Sequence, residues 1–511
     1  MGRRYRRATL AGGPLADDDR RVLDDAAAGN TIPKDDFTAA VPDLRVRLLN
    51  AQFDLSSADF AVVVVLAGDD RLGANELVNR LNEWLDSRFL DTSVFTVPEG
   101  PELARPAFSR LWDALPPAGR MSLWVGGLMR QVRAHLDGEV TEAELRRWCD
   151  HLRRTQEAWI ADGALVLKFY LHTPAAVQKK RYKKRRKRDD AWRYDHRDWE
   201  MARSLDAAVP TIETVLRETS VTGAPWTIVE GTDKRYRDLS VARTILAALE
   251  ARLASPPPAT AAGVLEQFAD LDQQATVLDH VDLSATVTKD DYRAELARLQ
   301  GRLHRLADRA RRRGVSTVLA FEGWDAAGKG GAIRRITPAL EAGDYRVHAV
   351  AAPTEEERRY HYLWRFWRDV PRDGRVAIFD RTWYGRVLVE RVEGFASPAE
   401  WQRAYDEILD FEAQLVEHGV VLAKFWVHIS PEEQLARFEA RRDTPYKKYK
   451  ITEEDYRNRE KWDAYVAAVD QMVVRTSMPD APWHIVAGND KRYARLAVLR
   501  EVVAGLERAV G

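Results

Sequence analysis

Apolar residues recur along this chain in two periods. Short runs, Ala61–Leu66 and Met121–Val125 in the first half and Thr317–Phe321, Val347–Ala351, Val376–Phe379, Val420–Val427 and Trp483–Val486 in the second, read as buried strands. Between them the spacing changes to that of a helix. In Ala399–Glu417 the apolar positions Trp401, Ala404, Tyr405, Ile408, Leu409, Phe411 and Leu415 keep a helical period. Strands alternating with helices predict an α/β fold, a parallel sheet covered on both faces, with ligands bound at the carboxyl ends of the strands.

The pattern also repeats itself. Thr31–Phe37 answers Thr286–Tyr292, and Trp112–Arg120 answers Trp367–Arg375, both 255 residues apart. Lys168–His172 matches Lys424–His428 at 256, and Ala224–Val229 with Asp233–Tyr236 matches Ala481–Val486 with Asp490–Tyr493 at 257. Two small gaps over so long a stretch indicate one domain present twice. An arm at residues 1–30, a first copy at 31–253, a linker at 254–285 containing the proline-rich Ala254–Gly263, and a second copy at 286–511 are expected.

Chemistry concentrates where the run Val318–Phe321 gives way to a glycine-rich loop. Gly323, four residues, then Gly328-Lys329 fits the spacing of a phosphate-binding loop, and Ala332, Ile333 and Ile336 then resume at helical spacing. A helix N-terminus placed after glycines that let backbone amides approach closely is a site for phosphate. Gly330 stands where the rule wants a Ser or Thr to hold a metal, and Asp325 inside the loop is the nearest oxygen donor that can take over. About fifty residues on, Val376–Phe379 ends in Asp380-Arg381, followed by Arg386 and Arg391. Alone, an apolar run ending in Asp fits a helix cap equally well. Opposite a phosphate loop, it reads as a Mg²⁺-binding carboxylate with fork-shaped donors for phosphate oxygens. A third cluster, Arg441–Asp455, carries Arg441, Arg442, Lys447, Lys448 and Lys450 between the fourth and fifth strands, where kinase-like folds place a lid.

The first copy is blank at these positions. Gly68, Asp70 and Gly73 match Gly323, Asp325 and Gly328, but Ala74 replaces Lys329, and Val125 and Gly126 stand for Asp380 and Arg381. A folded, inactive copy is expected. It carries a tract, Lys179–Arg188, with nine cations in ten residues. Aligned from Pro174 on Pro431, this region sets Asp190 on Lys447, Trp192 on Tyr449 and Asp198 on Asp455. With no nucleic-acid motif nearby, an extended polyanion other than nucleic acid is the expected partner.

Composition narrows the setting. Lys plus Arg and Asp plus Glu are equal at 79 each, so steering must come from local patches. The single Cys149 excludes a disulfide framework and a Cys-rich metal site. Neither a membrane-length apolar run nor a signal-peptide core follows the arginines at positions 3, 4, 6 and 7, so a cytoplasmic protein without membrane partners is expected.

Taken together, Gly323–Gly331, Asp380–Phe395 and Arg441–Asp455 resemble the type 2 polyphosphate kinases, and in particular their duplicated branch, the polyphosphate:AMP phosphotransferases. The resemblance covers nearly the whole chain. It implies two tandem copies of a P-loop kinase-like three-layer α/β/α domain with a parallel sheet and helical lid, and transfer of the terminal phosphoryl group of polyphosphate to AMP, giving ADP. Catalytic roles would fall to Asp325, Lys329, Asp380 and Arg381, with Asp325 and Asp380 holding Mg²⁺. Phosphates would be bound by Gly323, Ala326, Ala327, Gly328, Gly330, Gly331, Arg386 and Arg391, and the polyphosphate chain by Arg441, Arg442, Lys447, Lys448 and Lys450. A homo-oligomer is expected. Thr444 before Pro445, Tyr449 before Lys450, and Thr382 depart from the family's usual Asp, Trp and Ser. An ATP-dependent nucleoside monophosphate kinase and a polyanion-binding protein without turnover are the alternative readings.

Overall fold

The computed structural model describes residues 8–9, 23, 29–96, 98, 100–185, 196–255, 276–442 and 459–511. They form two compact units. The first is built from Met1–Pro98, Ala114–Ala259 and Arg359–His361, the second from Glu99–Asp113, Thr260–Arg358 and Tyr362–Gly511.

In the first unit a two-residue strand β1 (Ala8–Thr9) lies antiparallel on the edge of five parallel strands: β2 (Val62–Gly68), β3 (Leu90–Phe95), β4 (Met121–Gly126), β5 (Leu165–His172) and β6 (Trp226–Glu230). Their order is β1-β6-β5-β2-β4-β3. Successive residues of β2 bury opposite ways, as the pleat requires. Val62, Val64 and Leu66 pack under helices Lys34–Leu55, Arg71–Trp84 and Lys234–Ala254, whereas Val65 and Ala67 face Leu128–Leu136, Glu142–Ala161 and His196–Glu218.

The second unit repeats the plan in β7 (Thr317–Gly323), β8 (Tyr345–Ala349), β9 (Val376–Asp380), β10 (Val421–His428) and β11 (Trp483–Ala487), ordered β11-β10-β7-β9-β8 and parallel throughout. Leu319 and Phe321 pack against helices Lys289–Arg313, Lys329–Ile336 and Lys491–Val510. Phe379 turns to the other face, where its ring meets Trp383 at 5.5 Å and Trp383 meets Phe411, on the helix Pro398–Glu417, at 4.9 Å. The helices begin where local chemistry dictates. Thr288 accepts from the Asp291 amide at 3.2 Å, and Ser397 with Glu400 forms a capping box.

A buried lysine ties sheet to helix in each copy, with different partners. Lys424 Nζ donates to Glu412 Oε2 at 2.6 Å and to Thr476 O at 2.7 Å, and neither charged side chain reaches solvent. In the first copy Gln156 stands where the second has Glu412, and Lys168 Nζ donates to its Oε1 and to Thr219 O, both at 2.6 Å. Burial pushes the Lys168 ammonium down to about 7, since no carboxylate hydrogen-bonds to it. Cys149, also in this copy, is buried and its thiol is pushed up to about 12 by desolvation, as suits an inert core residue. No helix among the described residues is long and apolar enough to cross a membrane.

Candidate active site

The site is built on the carboxyl end of β7, the central strand, between β10 and β9. Gly323 ends β7 with φ +143°, and a Cβ there would lie 2.5 Å from Val427 O and 2.8 Å from Val427 N on β10. Only glycine fits so close an approach. The loop then runs through Ala326, a non-glycine residue at φ +63°, and Gly328 at φ +114° before the helix starts at Lys329. Ala327 N donates to Trp324 O at 3.0 Å, closing the turn. The first turn of the helix leaves amides without intrahelical acceptors, as an anion site needs. Lys329 Nζ is seated over the loop by Gly323 O at 2.5 Å and Trp324 O at 3.4 Å.

Held from behind, the loop keeps its shape. Arg437, on the helix Pro431–Arg442 and only 5% exposed, donates through Nη1 to Ala326 O at 3.0 Å and Ala327 O at 2.7 Å. Its Nη2 reaches Gly488 O at 2.7 Å and Asn489 O at 2.9 Å beyond β11. Gln434, one turn earlier, donates to Asp325 O at 3.2 Å. Gln434 and Arg437 thus hold the carbonyls of Asp325, Ala326 and Ala327.

The neighbouring strand supplies the second half. β9 ends at Asp380, and Arg381 follows in a left-handed conformation, φ +66°, with its amide donating to Phe321 O at 3.0 Å. Such a conformation in a non-glycine residue costs energy that the surroundings must supply. Glu322 supplies part of it: its buried Oε1 accepts from Thr382 N at 2.7 Å and Thr382 Oγ1 at 2.8 Å, so Thr382 keeps the hydroxyl of the family's usual Ser. Burial raises the Glu322 carboxyl, while the charges of Lys329 and Arg381 pull it the other way. Arg381 Nη2 lies 3.5 Å from Asp325 Oδ1, which brings loop and strand end together. Asp380 Oδ2 lies 3.9 Å from where a Cβ on Gly330 would sit.

These residues line a cleft of about 630 Å³ that holds Trp324 to Ala332, Asp380, Arg381 and Arg441. Three cations that sequence reading did not single out, Arg334, Lys491 and Arg495, line it too. Glycine at 330 and 331 gives them room, because added Cβ atoms would lie 3.4 Å from Arg334 Nη1 and 3.5 Å from Arg495 Nε. Arg386 and Arg391 are elsewhere. Arg386 pairs with Glu390 at 3.2 Å over the Tyr362 ring, and Arg391 donates to Tyr405 Oη and Gln471 over the Trp401 ring. Arg442 is exposed at the end of its helix and does not line the cleft, and Lys447, Lys448 and Lys450 lie outside the described residues. Glu322, Gln434 and Arg437 were also missed by sequence reading. A carboxylate inside an apolar strand run was the signal for the first; the other two are polar positions on an ordinary amphipathic helix.

In the first copy the loop has been wound up. Its helix begins at Arg71, a turn before Ala74, the counterpart of Lys329. Asp70 caps that helix by accepting from Gly73 N at 3.0 Å, and Arg181 Nη1 pairs with the same carboxylate at 2.9 Å. A side-chain anion thus fills the helix N-terminus. Arg181 also donates to Gly231 O and Thr232 O, as Arg437 does to Gly488 O and Asn489 O, while Gln178, at the position of Gln434, donates to Thr173 O and Asp69 Oδ1 instead of a loop carbonyl. The repeat therefore runs at 256 through this helix, which starts at Ala175 where its counterpart starts at Pro431. Matching Pro174 to Pro431 was one residue out.

A glycine loop at a helix N-terminus, a lysine over it, and two carboxylates and an arginine at adjacent strand ends define a phosphate-handling site of the kinase type. The family model for polyphosphate kinase 2 (PPK2) matches residues 31–256 and 286–510, and the chain belongs to that family. It is 45% identical over 491 residues to a polyphosphate:AMP phosphotransferase of Pseudomonas aeruginosa, covering 96% of this chain and 99% of that one. A polyphosphate:AMP phosphotransferase of Acinetobacter johnsonii is 36% identical across 91% of this chain and 96% of its own. Among solved structures, one described as a polyphosphate kinase 2 from Pseudomonas aeruginosa superposes with a TM-score of 0.85 at 44% identity, covering 95% of this chain and 99% of that one.

Proposed function

We propose that the chain is a polyphosphate:AMP phosphotransferase whose turnover resides in the second copy. The observation that carries the assignment to this copy is the convergence of Lys329, Asp325, Asp380 and Arg381 on one cleft, set against a first copy whose equivalent helix is capped by Asp70. The relatives' names, at 36% to 45% identity over nearly their whole length, support the reaction.

In this reading an oxygen of the AMP phosphate attacks the terminal phosphorus of polyphosphate. The bond from that phosphorus to the next bridging oxygen breaks, giving ADP and a chain one phosphate shorter. Lys329 and Arg381 donate to the transferred group as its negative charge spreads over the equatorial oxygens, and loop amides hold it in line. Arg441, with Lys447, Lys448 and Lys450, would guide the chain.

Asp325 and Asp380 would hold a divalent metal. Among the described residues no group of three or more His, Cys, Asp or Glu side chains is placed for one. Two carboxylates beside a phosphate site fit Mg²⁺, which is typically held by one or two carboxylates plus substrate oxygens and water. Bound there, Mg²⁺ neutralises phosphate charge. Following AMP and ADP by ³¹P NMR in the presence of polyphosphate tests the assignment. ADP should accumulate with Mg²⁺ and stop on adding a chelator. Unchanged formation in excess chelator would remove the metal role from the two aspartates.

A further inference from the structure

We propose that Trp462 is a positioning residue of the phosphate loop, acting through a face-to-face stack on Trp324. The two indoles lie 3.6 Å apart, centroid to centroid, with 7° between their planes. Trp324 is buried, its indole N–H donates to His428 Nδ1 at 3.0 Å, and Trp426 meets it edge-on at 5.6 Å. The acceptor role of His428 fits a neutral imidazole, which burial favours by holding its pKa down to about 4. Trp462 covers one face of the indole.

What the stack fixes is the backbone on which the site depends. Trp324 O accepts from Ala327 N at 3.0 Å and from Lys329 Nζ at 3.4 Å, and Asp325 is the next residue. A tilt of the indole therefore displaces both the seat of Lys329 and the Cα of Asp325. Trp462 opens the helix Trp462–Thr476, and the turn before it makes a second link. Arg459 Nη1 donates to Pro431 O at 2.6 Å and to Gln434 Oε1 at 3.3 Å, and Gln434 in turn holds Asp325 O at 3.2 Å.

The first copy is an internal control. Lys168 donates to Thr219 O as Lys424 does to Thr476 O, which fixes the register of this helix at 257 and sets Leu205 on Trp462. Asp69 stands at the position of Trp324. The surrounding framework persists, with His172, Gln178 and Arg181 answering His428, Gln434 and Arg437. Both rings of the stack are absent together from the copy whose loop is wound into a helix.

The proposal rests on the phosphotransfer reading for its activity arm only. Trp462→Leu is the variant of choice, because the folded first copy carries Leu205 at that position. Its kcat for ADP formation should fall roughly 30-fold, the scale of a misplaced reacting group, with the KM for AMP moving less than about 3-fold. Independently of turnover, amide hydrogen exchange across residues 322–330 should quicken at least ~10-fold while that of 376–380 stays put. Trp462→Phe, which keeps an aromatic face, should hold both readouts within about 3-fold of the parent. A folded Trp462→Leu with loop exchange and kcat within about 2-fold of the parent would overturn the proposal, as would a Phe variant no better than the Leu variant. Should the Leu variant not fold, Trp462→Met takes its place under the same criteria. A parent protein that makes no ADP would defeat the phosphotransfer reading and leave hydrogen exchange to decide the role of the stack.

Discussion

Lys329→Ala should lower kcat/KM for ADP formation by about 10³-fold or more while the melting temperature stays within a few degrees of the parent. The asymmetry follows from what the side chain touches. Its ammonium accounts for two hydrogen bonds to loop carbonyls, Gly323 O and Trp324 O, at a half-buried position. Losing those contacts costs about 1 to 2 kcal/mol of stability, since Trp324 O keeps its bond from Ala327 N. Losing a cation aimed at a phosphoryl group in flight removes charge compensation where it matters most. Polyphosphate retention should change less than about 10-fold, since Arg334, Arg441, Lys491 and Arg495 remain in the cleft. Steady-state kinetics, thermal melting and a filter-retention assay read the three quantities. A variant that keeps a tenth or more of the parent kcat/KM would place the transferred group elsewhere.

Gly323→Ala should be damaging for a different reason. Its Cβ would sit 2.5 Å from Val427 O, 2.8 Å from Val427 N and 3.1 Å from Val427 C, all backbone atoms of the adjacent strand β10, and its φ of +143° is one that side chains resist. Neither strand can yield without breaking the pairing that runs from Val421–Thr317 to Val427–Gly323. Overpacking and backbone strain together cost on the order of 4 kcal/mol, about 8 to 16 °C in the melting of a unit this size. Activity should fall with it, about 100-fold or more even below the transition, because Gly323 O is one of the two seats of Lys329. A melting temperature within 2 °C of the parent by calorimetry would mean that β7 and β10 are not packed as described.

The individual strands and both loop motifs were legible in the sequence because each is a local pattern, whereas the order of the strands in the sheet is not. Apolar runs marked β7 to β11 in the second copy and β2 and β4 in the first, and the repeat matches Lys168–His172 and Ala224–Val229 fall on β5 and β6. The edge strand Tyr345–Ala349 begins two residues before its apolar run and stops at Ala349, since its side chains are largely exposed and leave little hydrophobic signature. Lys329 and Asp380 announced themselves by spacing. Arg437 and Trp462 did not, because their importance lies in carbonyls and a ring more than a hundred residues away in the chain. Arg386 and Arg391 lie outside the cleft. Being near Asp380 in sequence suggested phosphate binding, yet the short helical turns after Thr382 carry them to Glu390, Tyr405 and Gln471 instead.

The difference between the two copies is also more concrete in three dimensions than in the sequence, where it showed as Ala74, Val125 and Gly126 in place of Lys329, Asp380 and Arg381. Asp70 is retained at the position of Asp325, but its carboxylate serves as a helix cap and a partner for Arg181. The same residue type that lines the cleft in one copy caps the helix in the other. A glycine-lined anion site and a capped helix are alternative ways to satisfy the same amides.

The phosphoryl donor distinguishes a polyphosphate-driven reaction from an ATP-driven one. Initial rates of ADP formation from AMP should be measured with Mg²⁺ and either polyphosphate or ATP, at equal concentrations of transferable terminal phosphate. Rapid formation with polyphosphate and at least about 100-fold slower formation with ATP is the expected result, a discrimination of roughly 2.7 kcal/mol in transition-state binding. ADP formed with ATP and not with polyphosphate would contradict it and make the chain a nucleoside monophosphate kinase.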